Sequence, residues 1–239
     1  IYLFIYILYP YFLGHSFINP KDIPFLSFWV ISTYVLCKIL KKLYKEEPVP
    51  IKYIVYISIS TSFLISIRIV GFLILLQFLI FIITFNEIKN KSFFNLIKNN
   101  IKNLFILLFT LVLFLYLLNP IFWHDPKEIV NSLKWMSKYQ QDVSTLTLGE
   151  YMKSLNLPAS YYFIWLFFKL PILIILGFFI FPFLEKKFIK NNLNKILTYS
   201  LIFTCLIILF LFILFDVAIY NEIRHVMFLI PLIFIVSLN

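Results

Sequence analysis

Residues 53–85 are 33 predominantly apolar positions whose only charge is Arg68. As one helix they would extend roughly 50 Å, against about 30 Å of bilayer hydrocarbon, which a single crossing could accommodate only with extreme tilt. Two crossings of about 16 residues each are short but tolerable. The flanks decide between these. Lys38, Lys41, Lys42, Lys45 and Lys52 precede the run, and Lys89, Lys91, Lys98 and Lys102 follow it. Both flanks thus carry the basic signature of the cytoplasmic side, which requires an even number of crossings. The turn then falls near Arg68 and Gly71. This keeps the charge out of the bilayer centre, where it would cost at least about 2.5 kcal/mol. The run is expected to be a tight helical hairpin.

The other apolar runs are 1–13, 23–40, 104–118, 159–184, 196–218 and 226–238. Together they predict an all-α fold: a polytopic transmembrane helical bundle of about eight crossings, two of them truncated, starting inside. Composition agrees. The chain is 62% hydrophobic and 13% charged, where soluble domains are about 45–50% apolar and about 25% charged. Four Gly and two Cys exclude a collagen-like chain and a disulfide-stapled module. Cys37 and Cys205 lie in apolar runs and read as small apolar side chains. Because Ile1 and Asn239 lie in or just beyond apolar runs, residues 1–239 read as a single transmembrane domain, partial at both ends, with no readable signal peptide.

The formal charge of +10 would suggest nucleic acid in a soluble protein. Sorted by side, the inner segments (38–52, 86–103 and 185–195) hold 13 basic and 4 acidic residues. The outer segments (14–22, the turn at Arg68, 119–157 and 220–225, with Lys169 and Asp216) hold 8 basic and 7 acidic. The excess is orientation, and no nucleic-acid partner is needed.

All three His, both Arg and seven of the eleven acids lie on the outer side, so chemistry is sought there. In the loop 14–22, Asp22 can cap the next helix; its functional reading is a carboxylate that binds a metal ion or a substrate hydroxyl, with His15 and Lys21 nearby. In the long loop 119–157, Trp123 suits the interfacial belt, and His124 and Asp125 are candidates whose side chains diverge. The segment 127–141 places Ile129, Val130, Leu133, Met136 and Tyr139 on one face, an interfacial helix lying flat on the membrane or over the core. Glu222, Arg224 and His225 stand at the entrance of the last helix, where a local Glu222/Arg224 pair is the simplest arrangement. With 19 Lys and only 2 Arg in the chain, the outer placement of Arg68 and Arg224 points to a lipid phosphate, for which Arg is the better planar fork.

Five ordered pieces carry a resemblance: "GHSFINPKDIPF" at 14–25, "SIRIVGFLIL" at 66–75, "NPIFWHDP" at 119–126, "LPASYYFIWLFFKLP" at 157–171 and "YNEIRHVMFLIPL" at 220–232. In these the chain resembles the membrane-embedded C-type glycosyltransferases related to dolichyl-phosphate-mannose protein mannosyltransferases and bacterial aminoarabinose transferases. The resemblance implies transfer of a sugar, with inversion, from a polyprenyl or dolichyl phosphate carrier to a lipid, protein or glycan acceptor at the periplasmic or luminal face. It implies that Asp22 positions substrate or a metal and is not the base, which precedes Ile1, so that this segment alone is inactive. It also implies that Arg and His near the later outer loops stabilise the lipid phosphate as it leaves; with the outer-face reading above, the substrate-binding candidates are His15, Lys21, Arg68, His124, Asp125, Glu222, Arg224 and His225. A divalent metal remains an open expectation. The Lys, Ile and Asn bias points to an AT-rich, bacterial source, hence to a plasma membrane with the active face periplasmic.

Two other classes stay open: a transporter or flippase, expected to use broken helices and midplane charges, and a polymerase or ligase of surface polysaccharide.

Overall fold

The computed structural model describes residues 9–90, 92–125, 127–128, 130–132, 134, 142–188, 191–219 and 222–238, with 184–188 described by backbone alone. The described elements are α1 (Pro10–Ile18), α2 (Asp22–Tyr44), α3 (Ile51–Ile67), a 3-10 turn (Ile69–Phe72), α4 (Leu73–Lys89), α5 (Phe93–Asn99) and α6 (Ile101–Leu118). There follow one helical turn (Ile121–His124), β1 (Ser144–Thr147), β2 (Glu150–Lys153), α7 (Ser160–Lys169), α8 (Ile172–Phe188), α9 (Asn192–Leu214), a second 3-10 segment (Arg224–Leu229) and α10 (Ile230–Ser237). The protein is mostly helical, and four of these helices are long and apolar enough to cross a membrane, or five crossings if one bent pair counts as a span. It is a helical membrane protein.

The chain forms two compact units. One comprises Ile1–Leu26, Tyr139–Lys190 and Leu201–Asn239; the other comprises Ser27–Lys138 and Asn191–Ser200.

In the second unit the expected break in the long apolar run falls at Arg68, which is extended (φ −151°, ψ 141°) between α3 and the 3-10 turn. The turn folds back on α3 so closely that a Cβ on Gly71 would lie 2.5 Å from the Leu64 carbonyl carbon. Only a residue without a side chain fits there. Small hydroxyl residues hold α3 against α6. Ser58 Oγ donates to Ile54 O at 2.8 Å and approaches Leu107 O at 3.2 Å; Ser62 Oγ donates to Ser58 O at 2.8 Å and approaches Leu111 O at 3.1 Å. Four residues further along, Asn119 Nδ2 donates to Ser66 Oγ at 2.8 Å. Serines at 58, 62 and 66 share one helix face, so the backbones approach closely while their polar atoms stay satisfied. Ser62→Leu is therefore expected to wedge α3 from α6 and cost about 1–3 kcal/mol. Ser62→Ala, which keeps the close approach, should cost about 0.6 kcal/mol, the usual worth of such a bond in a membrane. The thermal unfolding midpoint in detergent separates the two. Buried polar side chains continue on α2 and α4, where Gln77 Nε2 donates to Thr33 Oγ1 at 2.9 Å and Thr33 Oγ1 to Trp29 O.

In the first unit, two expectations read from apolar runs need correction. The run 159–184 is not one straight crossing: α7 ends at Lys169, Leu170 is extended, and α8 begins after Pro171, with a bend of 115° between the helical pieces. Proline cannot continue the first helix, and it disfavours helical geometry in the residue before it. The segment 14–22 is not an open loop either. Helix α1 starts at Pro10, a favoured first helical position, and continues past His15 to Ile18, leaving only a short turn at Asn19 and Pro20. A β-hairpin, not anticipated from the sequence, closes through Leu148 (φ 52°) and Gly149 (φ 88°). The expected interfacial helix at 127–141 lies largely outside the described residues, as do four of its five apolar-face side chains. Helices α8 and α10 meet at Gly177, where a Cβ would stand 2.8 Å from Ser237 O, and Ser237 Oγ donates to Ile174 O at 2.7 Å. Residues 226 to 230 are buried on every side, so this segment is core rather than lipid-facing surface.

Candidate functional site

The site lies within the first unit, at the start of α2. Asp22 is its first residue and is 3% exposed, although a carboxylate is seldom buried unless it is paired. The helix N-terminus favours the negative charge. Capping, however, falls to Asn19: its Oδ1 accepts the backbone N–H of Asp22 at 2.9 Å and that of Lys21 at 3.3 Å, while its Nδ2 donates to Asp22 Oδ2. The Asp22 carboxylate is left to face Arg224, whose Nε lies 3.0 Å from Oδ2. Apolar packing sets this register. Phe25, one turn after Asp22, meets Phe228, four residues after Arg224, edge-on with 5.3 Å between ring centroids.

A second pair stands beside the first. Glu222 Oε2 lies 2.7 Å from Lys169 Nζ. Lys169 ends α7, where a cation complements the helix dipole. Its ammonium lies 5.5 Å from the Tyr11 ring centroid and 5.3 Å from that of Trp165, within cation–π range. Its carbonyl accepts the Tyr9 hydroxyl, and Trp165 Nε1 donates to Thr147 Oγ1 at 3.2 Å, joining the hairpin to α7. The expected local pairing of Glu222 with Arg224 is thus replaced by two pairs to other elements. Glu222 adopts a left-handed conformation (φ 67°), and Ile223 between the two charges is fully buried. The buried isoleucine lets the two charged side chains reach separate partners.

His15 on α1 joins the cluster through Asn19, with Nδ1 3.4 Å from Asn19 Nδ2 and its ring 4.6 Å from that of Tyr11. Burial lowers its pKa; Asp22 and Glu222 pull it up, while Arg224 and Lys169 push it down. Its folded value thus lies below the unfolded value of about 6.5. The unfolded chain binds the proton more readily, so stability is complete above pH of about 6.5 and declines as pH falls from there toward the folded value. His15→Gln is expected to flatten this decline, read as the unfolding midpoint between pH of about 7.5 and about 5.

Of the other expected site residues, Lys21 is exposed, and His225 is half-buried in the first turn of the second 3-10 segment. Arg68, His124 and Asp125 belong to the other unit. Arg68 ends α3, its backbone N–H donating to Leu64 O. His124 and Asp125 are exposed; Asp125 Oδ1 accepts the Lys127 N–H at 2.8 Å, a turn-forming role, and the neighbouring Trp123 donates to Tyr116 O. Among the described residues no three His, Cys, Asp or Glu side chains gather to hold a metal ion.

Sequence reasoning missed Lys169 as a site residue. The signal was present, since Lys169 is the only charge in the run 159–184, as Arg68 is in 53–85. In both runs the lone charge marks the break in the helix.

Chemically, the site holds two cations fixed by two carboxylates, with no net charge among the four groups. The cations are oriented before any ligand arrives, so they need no rearrangement to meet developing negative charge. No family model, curated protein or solved structure matches the chain.

Proposed function

We propose that this chain is the membrane-embedded part of a glycosyltransferase that moves a sugar from a polyprenyl or dolichyl phosphate to an acceptor. The observation that carries this reading is the buried Asp22–Arg224 pair, with Lys169–Glu222 beside it. A departing lipid phosphate gains charge as the glycosidic bond breaks, and Arg224 and Lys169 are the groups to receive it. Asp22, buried, positions Arg224 for the substrate, while the part-exposed Glu222 holds Lys169 and offers acceptor oxygens to sugar hydroxyls; His15 and Lys21 border the same site. The finer topology belongs to this proposal: eight crossings, an interfacial helix at 127–141, Lys-rich loops in the cytoplasm and the site facing the periplasm of a bacterial cell. Arg68, His124 and Asp125, in the other unit, are proposed as substrate-binding groups of that unit by itself.

The test uses the intact protein in lipid nanodiscs, supplied with radiolabelled polyprenyl-phosphate mannose and polyprenyl-phosphate aminoarabinose as donors and with hydroxyl-bearing glycolipid, peptide and oligosaccharide acceptors. Release of polyprenyl phosphate, dependent on Arg224, is the expected result. Inertness toward the whole panel, with folded protein, defeats the reading.

One observation favours a transporter instead: the 115° break at Leu170 and Pro171, since transporters build their sites on discontinuous helices. That reading predicts counterflow of labelled substrate in proteoliposomes without chemical change.

A further inference from the structure

A separate cleft of about 230 Å³ opens in the first unit between the segment leaving the hairpin and the end of α9. One wall is Ser154, Asn156 and Leu157; the other is Phe212, Asp216 and Val217. Its floor is Tyr162, buried and fixed by donation of its hydroxyl to Val217 O at 2.9 Å.

We propose that this cleft binds a single saccharide ring of the acceptor, with Asp216 and Asn156 as its hydrogen-bonding groups.

Four observations support this. The volume lies below the roughly 300–1,000 Å³ of pockets that enclose drug-sized ligands, so it suits one small ring and excludes a prenyl chain. The lining is rich in acceptors: the Asp216 carboxylate, the Asn156 amide oxygen and the Tyr162 hydroxyl oxygen, whose proton is already directed to Val217. Asn156 adds two N–H donors. Such a set matches vicinal hydroxyls, each of which donates once and accepts as well, while Leu157, Phe212 and the Tyr162 ring offer an apolar surface to ring C–H groups. Third, Asp216 has φ 45°, a left-handed conformation that a non-glycine residue adopts at a cost. At the end of a helix, glycine would serve the turn better, yet the chain places a carboxylate there. Fourth, consecutive residues of α7 connect this cleft to the charge cluster: Tyr162 floors the cleft, whereas Tyr161 is fully buried beside Thr145 and Glu222. The Tyr161 and Tyr162 rings stand 6.4 Å apart, so adjacent residues of α7 serve the cleft and the charge cluster.

Assignment of the ring to the acceptor rests on the glycosyltransferase reading; saccharide binding itself does not. The experiment separates them. Saturation-transfer NMR is run on the protein in nanodiscs with methyl glycosides of mannose, glucose, galactose and N-acetylglucosamine. At least one is expected to bind, with affinity reduced at least tenfold by Asp216→Asn and by Asn156→Ala. Asp216→Gly relieves the backbone conformation, so it should match or exceed the parent in stability while losing binding. Asp142→Asn, which removes an exposed carboxylate that faces Lys153 and does not line the cleft, should leave binding unchanged. Under transfer conditions Asp216→Asn should raise KM for the acceptor and leave KM for the donor unaltered. Glycoside binding that depends on Asp216 without any transfer keeps the cleft and removes the glycosyltransferase reading. Transfer with no Asp216-dependent glycoside binding overturns the cleft assignment, as does preferential binding of a methylammonium probe over every glycoside.

Discussion

Arg224→Ala is expected to abolish sugar transfer by the intact protein while leaving membrane insertion unchanged. The guanidinium lies 3.0 Å from a carboxylate that is only 3% exposed. Removing one member of a buried pair usually costs 3–5 kcal/mol, because the remaining charge loses its counterion. Here about 3 kcal/mol is appropriate, since Arg224 is 22% exposed and Asn19 also donates to Asp22. Stability and activity can be separated by a cycle. Asp22→Asn combined with Arg224→Ala removes both charges, so it should recover most of the lost stability. Transfer should stay absent, because no guanidinium is left to meet the departing phosphate. Thermal unfolding in detergent reads the first quantity and release of polyprenyl phosphate the second. A double variant that regains transfer would show that Arg224 serves only to neutralise Asp22.

The second large effect is expected at Gly71. Gly71→Ala places a Cβ 2.5 Å from the Leu64 carbonyl carbon and 2.6 Å from the Ile65 nitrogen, both of them backbone. No flexible side chain can yield, so the 3-10 turn must lift away from the end of α3. Overpacking of this kind costs about 1–3 kcal/mol, and backbone contact puts the expectation at the upper end. Gly14→Ala is the natural control: a Cβ there meets nothing within 4 Å, and Gly14 lies inside α1. Alanine's better helix propensity should stabilise that variant by up to about 1 kcal/mol. Opposite shifts in the unfolding midpoint are expected. Equal, small shifts would mean that the turn at Gly71 is not closely packed in the folded protein.

Both predictions concern places where the sequence is informative in different degrees. Gly71 and Arg68 stand out in a long apolar run, because a glycine and a lone charge in such a run are themselves signs of a break. Lys169, with Pro171 two residues on, carries the same sign, but the length of the run 159–184 suits a single crossing and masks it. Asp22 and Arg224 both stand out as charges at the edges of apolar runs, yet neither composition nor spacing can join them. Proximity along the chain offers other roles, a cap for Asp22 and a pair with Glu222 for Arg224.

The amino-acid sequence by itself determined that this is a helical membrane protein, where its apolar segments lie and several of the points at which they break. These follow from local physics: hydrocarbon length against helix rise, the missing N–H of proline, the missing side chain of glycine and the cost of a charge in lipid. Only the tertiary structure decided that Asn19 takes over the cap, that Asp22 faces Arg224 and that Glu222 reaches Lys169 instead of its neighbour. A charge far from any partner along the chain acquires one only when packing, here Phe25 on Phe228 with Ile223 buried between the two charges, places the side chains together.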